Sequence, residues 1–168
     1  MLARMRHLDP ARVGDHLDRL YRAAWALCGS REDAEDLVQE TYARVLARPR
    51  LLRKEDDLGY LLSALRNTFL NQKRTESRRL RTAPLPDELH VVPDPQAREP
   101  HAALEAGELY AAIAALPADF RDVLVAVDVA GLTYEEAASA LRIRPGTVMS
   151  RLYRARQQVV RRIDSPNG

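Results

Sequence analysis

The sequence predicts an all-α fold: two small helical bundles joined by a flexible proline-rich linker, the second bundle containing a helix-turn-helix. Three observations carry that prediction. Almost every segment outside the linker repeats its apolar residues at the helical period, and no run alternates as a strand would. Half of the chain's 10 prolines (Pro84, Pro86, Pro93, Pro95 and Pro100) fall in one stretch interspersed with acids. Helix is excluded there, because each proline removes a backbone donor and clashes with the preceding turn. Finally, residues 131–156, GLTYEEAASALRIRPGTVMSRLYRAR, read as helix, short turn, helix. The expected division is 1–82, a linker at 83–101, and 102–168.

Each element has its own local warrant. Asp9–Pro10 opens the first helix, with Val13, Leu17, Leu20, Tyr21, Ala24 and Leu27 as its stripe and Gly29 as its stop. Ser30 and Asp33 have capping-box spacing, and Ala34, Leu37, Val38, Thr41, Val45 and Leu46 follow on one face until Pro49. Residues 49–57 are a charged loop. A third helix begins near Leu58 with Leu61, Leu62, Leu65, Phe69 and Leu70, and is expected to dissolve into the basic stretch beyond. In a polyproline-like conformation of ~3.1 Å per residue, 84–100 reaches roughly 50 Å. That exceeds one DNA turn of ~34 Å. Leu104, Leu109, Ile113 and Leu116 mark the next helix, and Pro117 opens another with Phe120, Val123, Leu124 and Val127. In the helix-turn-helix, Thr133 and Glu136 form a capping box ahead of Tyr134, Ala137, Ala138 and Leu141. Pro145 suits a first helical position, and Val148, Leu152, Ala155 and Val159 form the inner stripe of the second helix.

Composition narrows the partner. With 168 residues, net charge +2 and pI ≈ 8.9, the average is only mildly basic. The charge is segregated, however. Residues 142–162 carry Arg142, Arg144, Arg151, Arg154, Arg156, Arg161 and Arg162 with no acid. Residues 71–82 carry Lys73, Arg74, Arg78, Arg79 and Arg81 against Glu76, while Glu32, Asp33, Glu35, Asp36 and Glu40 collect on the second helix. Two basic clusters, one on a helix-turn-helix, favour nucleic acid over a membrane. Cys28 is the one cysteine, which excludes an intrachain disulfide and a multi-cysteine zinc site. Its apolar neighbours suggest a buried structural thiol. No signal peptide or membrane span is apparent, so a cytoplasmic protein without metal or cofactor is expected. The ending soon after Ile163 suggests no further C-terminal domain.

Three surfaces are candidates for function. The outer face of the last helix carries Thr147, Ser150, Arg151, Tyr153 and Arg154, with Arg144, Met149 and Arg156 beside them, as a helix entering the major groove would. Asn67, Asn71 and Arg74 recur at i, i+4 and i+7, with Tyr60 at the start of their helix and Arg66 and Lys73 adjacent. Amides can bond base edges and a ring can stack on an unpaired base, but a polar outer face with Tyr60 in the core fits the spacing equally well. The acids of SREDAEDLVQETYARVL share one surface; spacing alone favours a well-capped solvated helix over a docking face.

DAEDLVQETYARVL, YLLSALRNTFLNQKR and LPADFRDVLVAVDVAGLTYEEAASALRIRPGTVMSRLYRAR, in that order and spacing, resemble bacterial sigma factors of the extracytoplasmic-function group. The resemblance spans about residues 11–163. It implies a region 2 domain, a linker and a region 4 domain, and a protein that confers promoter recognition on core RNA polymerase without catalysing a reaction. It implies that Asp36, Leu37, Gln39, Glu40 and Thr41, with Arg44, dock on the coiled coil of the polymerase largest subunit. Tyr60, Arg66, Asn67, Asn71, Lys73 and Arg74, with the loop before them, would capture the −10 element. Arg144, Thr147, Met149, Ser150, Arg151, Tyr153, Arg154 and Arg156 would meet the −35 element. Further implied partners are the polymerase flap and an anti-sigma factor.

The chain departs from that pattern at four places. Tyr60 stands where tryptophan is usual, Asn71 where aspartate is common, Met149 where a cation is usual, and Arg142 where glycine or aspartate is frequent at a position suited to positive φ. A stand-alone helix-turn-helix regulator binding an operator as a dimer would explain residues 131–163, but not the acidic helix or the Asn67/Asn71 face. A helical enzyme finds no support in the scattered His7, His16, His90 and His101.

Overall fold

The computed structural model describes residues 6–52, 56–82 and 101–165. The expected linker lies outside them, apart from His101, which already opens a helix.

The N-terminal bundle is set by local capping. The Asp9 carboxylate accepts from the Ala11 N–H at 2.9 Å, and Pro10 follows as the first residue of α1 (Pro10–Val13). A 3₁₀ turn at Gly14–His16 then separates α1 from α2 (Leu17–Cys28). The expected single helix is therefore broken, and Leu17 at the joint is exposed rather than part of the stripe. Gly29 ends α2 at φ +76°. A β-carbon there would sit 3.2 Å from that of Ala114, so glycine serves both the left-handed turn and the close approach of the second bundle. Ser30 caps α3 (Arg31–Ala47), which buries Ala34, Leu37, Val38, Thr41 and Val45. Leu46, expected inward, is exposed because it lies in the last turn, past the helix's buried face. Contrary to the expectation of no strand, β1 (Arg6–His7) and β2 (Leu51–Leu52) pair antiparallel in a two-residue ladder.

α4 (Asp57–Thr82) starts where the Asp56 carboxylate accepts from the Gly59 N–H at 2.9 Å. It does not dissolve at the basic stretch. Arginine, lysine and leucine are good helix formers. In addition, Lys73 pairs with Glu76 at 3.2 Å and the Thr75 and Thr82 hydroxyls bond carbonyls one turn back. All residues from Lys73 onward are exposed, so a basic rod of roughly 15 Å projects from the bundle.

The C-terminal bundle comprises α5 (His101–Ala114), α6 (Ala118–Leu124), α7 (Tyr134–Leu141) and α8 (Pro145–Asp164). Ile113 and Leu116 are buried, but Leu104 and Leu109 face outward, against expectation. After α6 the chain widens into a π turn at Val125–Val129, with the Ala130 N–H donating to the Val125 carbonyl at 2.8 Å. α7 has its complete capping box: the Glu136 N–H donates to Thr133 Oγ1 at 3.2 Å, and the Thr133 N–H donates to Glu136 Oε2 at 2.8 Å. Val148, Leu152, Ala155 and Val159 are all buried, as their spacing predicts.

Arg142 ends α7 at φ 56°, a left-handed conformation that a β-carbon disfavours. Arg142→Gly is therefore expected to raise the unfolding free energy by about 1 kcal/mol. A thermal melt reads this as a midpoint roughly 2–4 °C higher. A lower midpoint would show that the arginine side chain makes a contact worth more than the backbone strain.

The two bundles pack on each other. The Trp25 and Tyr110 rings meet edge-on at 4.7 Å, and the Arg121 guanidinium lies 4.9 Å from the Phe69 ring centroid. Arg66 Nε donates to the buried Asp122 carboxylate at 2.6 Å, and Arg121 donates to the same carboxylate at 3.1 and 3.2 Å. α4 also packs against α7, so one hydrophobic core runs through both bundles.

Candidate nucleic-acid and partner interfaces

The acidic helix offers a narrower surface than its motif suggests. Leu37 and Thr41 are 0% and 1% exposed, and the Thr41 hydroxyl donates to the Leu37 carbonyl at 2.7 Å. These two residues anchor α3 to the core and cannot meet a partner. Asp36, Gln39 and Arg44 are exposed and Glu40 is half-buried. Glu40 is also oriented from two sides: Arg44 Nη2 donates to one oxygen at 2.6 Å, and the Gln72 amide of α4 donates to the other. Gln72 carried no signal in the sequence, since its partner lies 32 residues away.

On α4, Asn67 and Asn71 are exposed, and Arg74 extends the same face. Tyr60 is half-buried. Its ring lines a cleft with Leu52, Asp56, Gly59 and Ser63, closed on the far side by Ser139, Ala140 and Arg142 around the end of α7. Arg66 is drawn away from the Asn67/Asn71 face into the contact with Asp122. Lys73 lies 5.8 Å from the Phe69 ring and pairs with Glu76. In this packing the Tyr60 end of the face is turned toward the second bundle, while the amide end stays open.

On α8 the arginines divide into two groups. Arg156 donates both Nε and Nη2 to Asp128, at 2.8 and 2.7 Å, and Asp128 is presented by the π turn. That carboxylate pushes the Arg156 pKa up. Arg151 lies 3.5 Å from Asp119. Arg144 and Arg154 are exposed and have no carboxylate partner among the described residues. Ser150 is exposed, its hydroxyl donating to the Thr147 carbonyl at 3.2 Å, and Thr147 is half-buried. Met149 and Tyr153 stand out in solvent. The face of α8 left open to solvent is therefore Arg144, Met149, Ser150, Tyr153 and Arg154.

A groove that periodicity did not indicate runs between α5 and α8, lined by Leu109, Tyr110, Ile113, Leu124, Val129, Val159 and Val160, with Arg22 and the Arg156–Asp128 pair as its charged groups. The outward-facing Leu109 and Val160 belong to it. Cys28 is half-buried; burial first, then the nearby Asp33, pushes its thiol up to about 11, which makes it an unreactive thiol at neutral pH. Among the described residues no helix is long and apolar enough to cross a membrane, and no group of His, Cys, Asp and Glu could hold a metal ion.

Two bundles, one exposing an acidic helix beside an amide-bearing helix and the other a helix-turn-helix, define a helical architecture of two packed units. Residues 13–79 match the family model for Sigma-70 region 2, and residues 106–159 match that for Sigma-70, region 4. The chain belongs to the sigma-70 family of RNA polymerase sigma factors. Within it, the chain is similar to the extracytoplasmic-function (ECF) group. It is 39% identical over 150 residues to the ECF RNA polymerase sigma factor SigE of Mycolicibacterium smegmatis, covering 88% of this chain and 58% of that relative. It is 34% identical over 137 residues to the ECF RNA polymerase sigma factor EcfG of Rhodopseudomonas palustris, covering 81% and 74%. In fold it resembles the sigma factor RpoE of Bartonella quintana, solved in complex with the anti-sigma factor NepR, with TM-score 0.70, 23% identity and 94% and 97% of the two chains covered. It also resembles CnrH, solved with the cytosolic domain of CnrY, with TM-score 0.64, 20% identity and 94% and 88% covered.

Proposed function

We propose that this chain docks on core RNA polymerase through the exposed face of α3 and carries the enzyme to a promoter. The reading rests on one observation: a single chain bears both an acidic, pre-oriented helix face and a helix-turn-helix whose outward cations are free to meet phosphate. A stand-alone operator binder would need only the second. The α3 face (Asp36, Gln39, Glu40 and Arg44) suits a basic partner such as the polymerase coiled coil. Asn67, Asn71 and Arg74, with Tyr60, suit an unpaired −10 strand, the amides bonding base edges and the ring stacking. The open face of α8 suits the −35 duplex. The protein's part is binding, with no catalytic step of its own, and its place of action is the cytoplasm with polymerase.

The groove between α5 and α8 suits an apolar helix with an acidic flank, because its lining is largely aliphatic and Arg22 is the cation left open there, Arg156 being held by Asp128. The polymerase flap and an anti-sigma factor are the partners we assign to it. An anti-sigma factor accompanies the matched sigma factor in the RpoE structure. Reading DNA at two points requires the bundles to part, since Tyr60 and Arg66 face the second bundle here.

The test is co-purification with core polymerase, followed by transcription from a promoter library with start sites mapped. Tight binding to duplex DNA without polymerase, together with indifference to core enzyme, would overturn the reading. Within it, Arg154→Ala is expected to weaken holoenzyme binding to its promoter by about 1–3 kcal/mol, and unequally across −35 sequences. A loss uniform across sequences, with a salt slope lower by about one, would make Arg154 a phosphate contact instead. Arg156→Ala should act mainly on stability, because its guanidinium is engaged with Asp128.

A further inference from the structure

Two large side chains interrupt the basic character of α8 where it is most exposed. Met149 is 56% and Tyr153 64% exposed, one helical turn apart on the same flank. Arg144 and Arg154, with no carboxylate partner among the described residues, bracket them, while Arg156 is held by Asp128 and Arg151 lies 3.5 Å from Asp119. Met149 lies in the second turn of α8, and the N-terminal turns of a recognition helix are those that face base edges. The helix has further exposed apolar residues, Val160 and Ile163. Val160 lies roughly 16 Å along the axis from Met149, more than the ~12 Å width of a major groove. Val160 lines the α5–α8 groove, and Met149 stands apart from it.

A thioether donates no hydrogen bond and accepts only weakly. Set against guanine it would strip water from two acceptors and return no hydrogen bond, and against adenine or cytosine it would return only a weak one. Thymine alone presents a methyl group in the major groove. We propose that Met149 is a specificity-determining residue that selects thymine within the −35 element by packing on its C5-methyl group, with the Tyr153 ring alongside. This rests on the promoter-reading role above, and adds to it which base the open face of α8 prefers.

Uracil tests it, because it differs from thymine by that methyl alone. Holoenzyme assembled from the full chain and core polymerase first selects −35 sequences from a randomised duplex. Each selected thymine is then replaced by uracil in turn, and binding is measured for wild type, Met149→Ala and Met149→Lys. Burying one methyl contributes ~0.8 kcal/mol, so wild type should lose about fourfold at one position. Met149→Ala should show no loss there. Met149→Lys should also ignore the methyl, and should steepen the salt dependence by about one. Because Met149 is exposed, these variants should keep the wild-type melting temperature, which is measured alongside.

Equal tolerance of uracil at every selected thymine by wild type overturns the proposal while leaving the promoter-reading role intact. So does an unchanged uracil effect in Met149→Ala. Unaltered DNA selection by Met149→Ala with weakened assembly on core polymerase would give this flank to a protein partner, and overturns it too. Failure of the holoenzyme to select any −35 sequence overturns the promoter-reading role, and the proposal with it.

Discussion

Asp122→Ala is expected to lower the unfolding free energy by about 3 kcal/mol. The carboxylate is 6% exposed and accepts from Arg66 of one bundle and Arg121 of the other. Removing it leaves two guanidinium groups against a desolvated interface, and an unpaired buried charge is more damaging than the pair was stabilising. The estimate is at the lower end of the range for such losses because the Arg66 side chain is 33% exposed and can recover water. For a chain of this size the melting midpoint should fall by roughly 6–12 °C. Asp122→Asn keeps an acceptor at the same place and should lose less. Arg66→Ala should lose less still, since Asp122 retains Arg121. A midpoint unchanged in Asp122→Ala would show that the two bundles do not depend on this node. Promoter-directed transcription below the variant's midpoint should persist, because Asp122 is buried and offers nothing to DNA.

That node also marks where the sequence stopped being legible. The caps were readable because each is completed within one turn: Asp9 with Ala11, Thr133 with Glu136, Pro145 at its first helical position, Gly29 at its left-handed end. Local geometry alone decides such signals. The positive φ at Arg142 was signalled instead by the glycine or aspartate frequent there in the family it resembles. Arg66 looked equally like a DNA contact, but its partner is 56 residues away and no periodicity announces it. The same holds for Arg156 and Asp128, brought together by a π turn that composition does not signal. Apolar stripes were overextended for a related reason. A stripe is buried only as far as a neighbouring helix runs beside it, so Leu46 near the end of α3 and Leu104 near the start of α5 emerge into solvent. The family motif marked α3 as a unit, yet it could not separate Leu37 and Thr41, which hold that helix in place, from Asp36 and Glu40, which lie outside the core.

Asp36→Arg should lower affinity for core polymerase at least ~100-fold while leaving the fold unchanged. Asp36 is exposed on α3, with no ion pair to any described residue, so reversing its charge removes no internal contact. Its neighbours one turn away in each direction are Glu32 and Glu40. An arginine would meet opposite charge at both i−4 and i+4, where the aspartate meets like charge, and each such pair is worth about 0.2–0.5 kcal/mol. Stability should therefore hold within about 0.5 kcal/mol of wild type, or rise slightly. Assembly responds in the opposite direction. Placing a cation against a basic docking surface introduces like-charge contact of several kcal/mol, and ~100-fold corresponds to about 2.8 kcal/mol. Asp15→Arg is the matched control, since it changes net charge equally at an exposed site that lies on the turn between α1 and α2 rather than on α3. It should bind core enzyme as wild type does, apart from a small long-range effect that salt removes. Retained assembly in Asp36→Arg would withdraw α3 as the docking face, and equal losses in both variants would reduce its role to general electrostatic attraction.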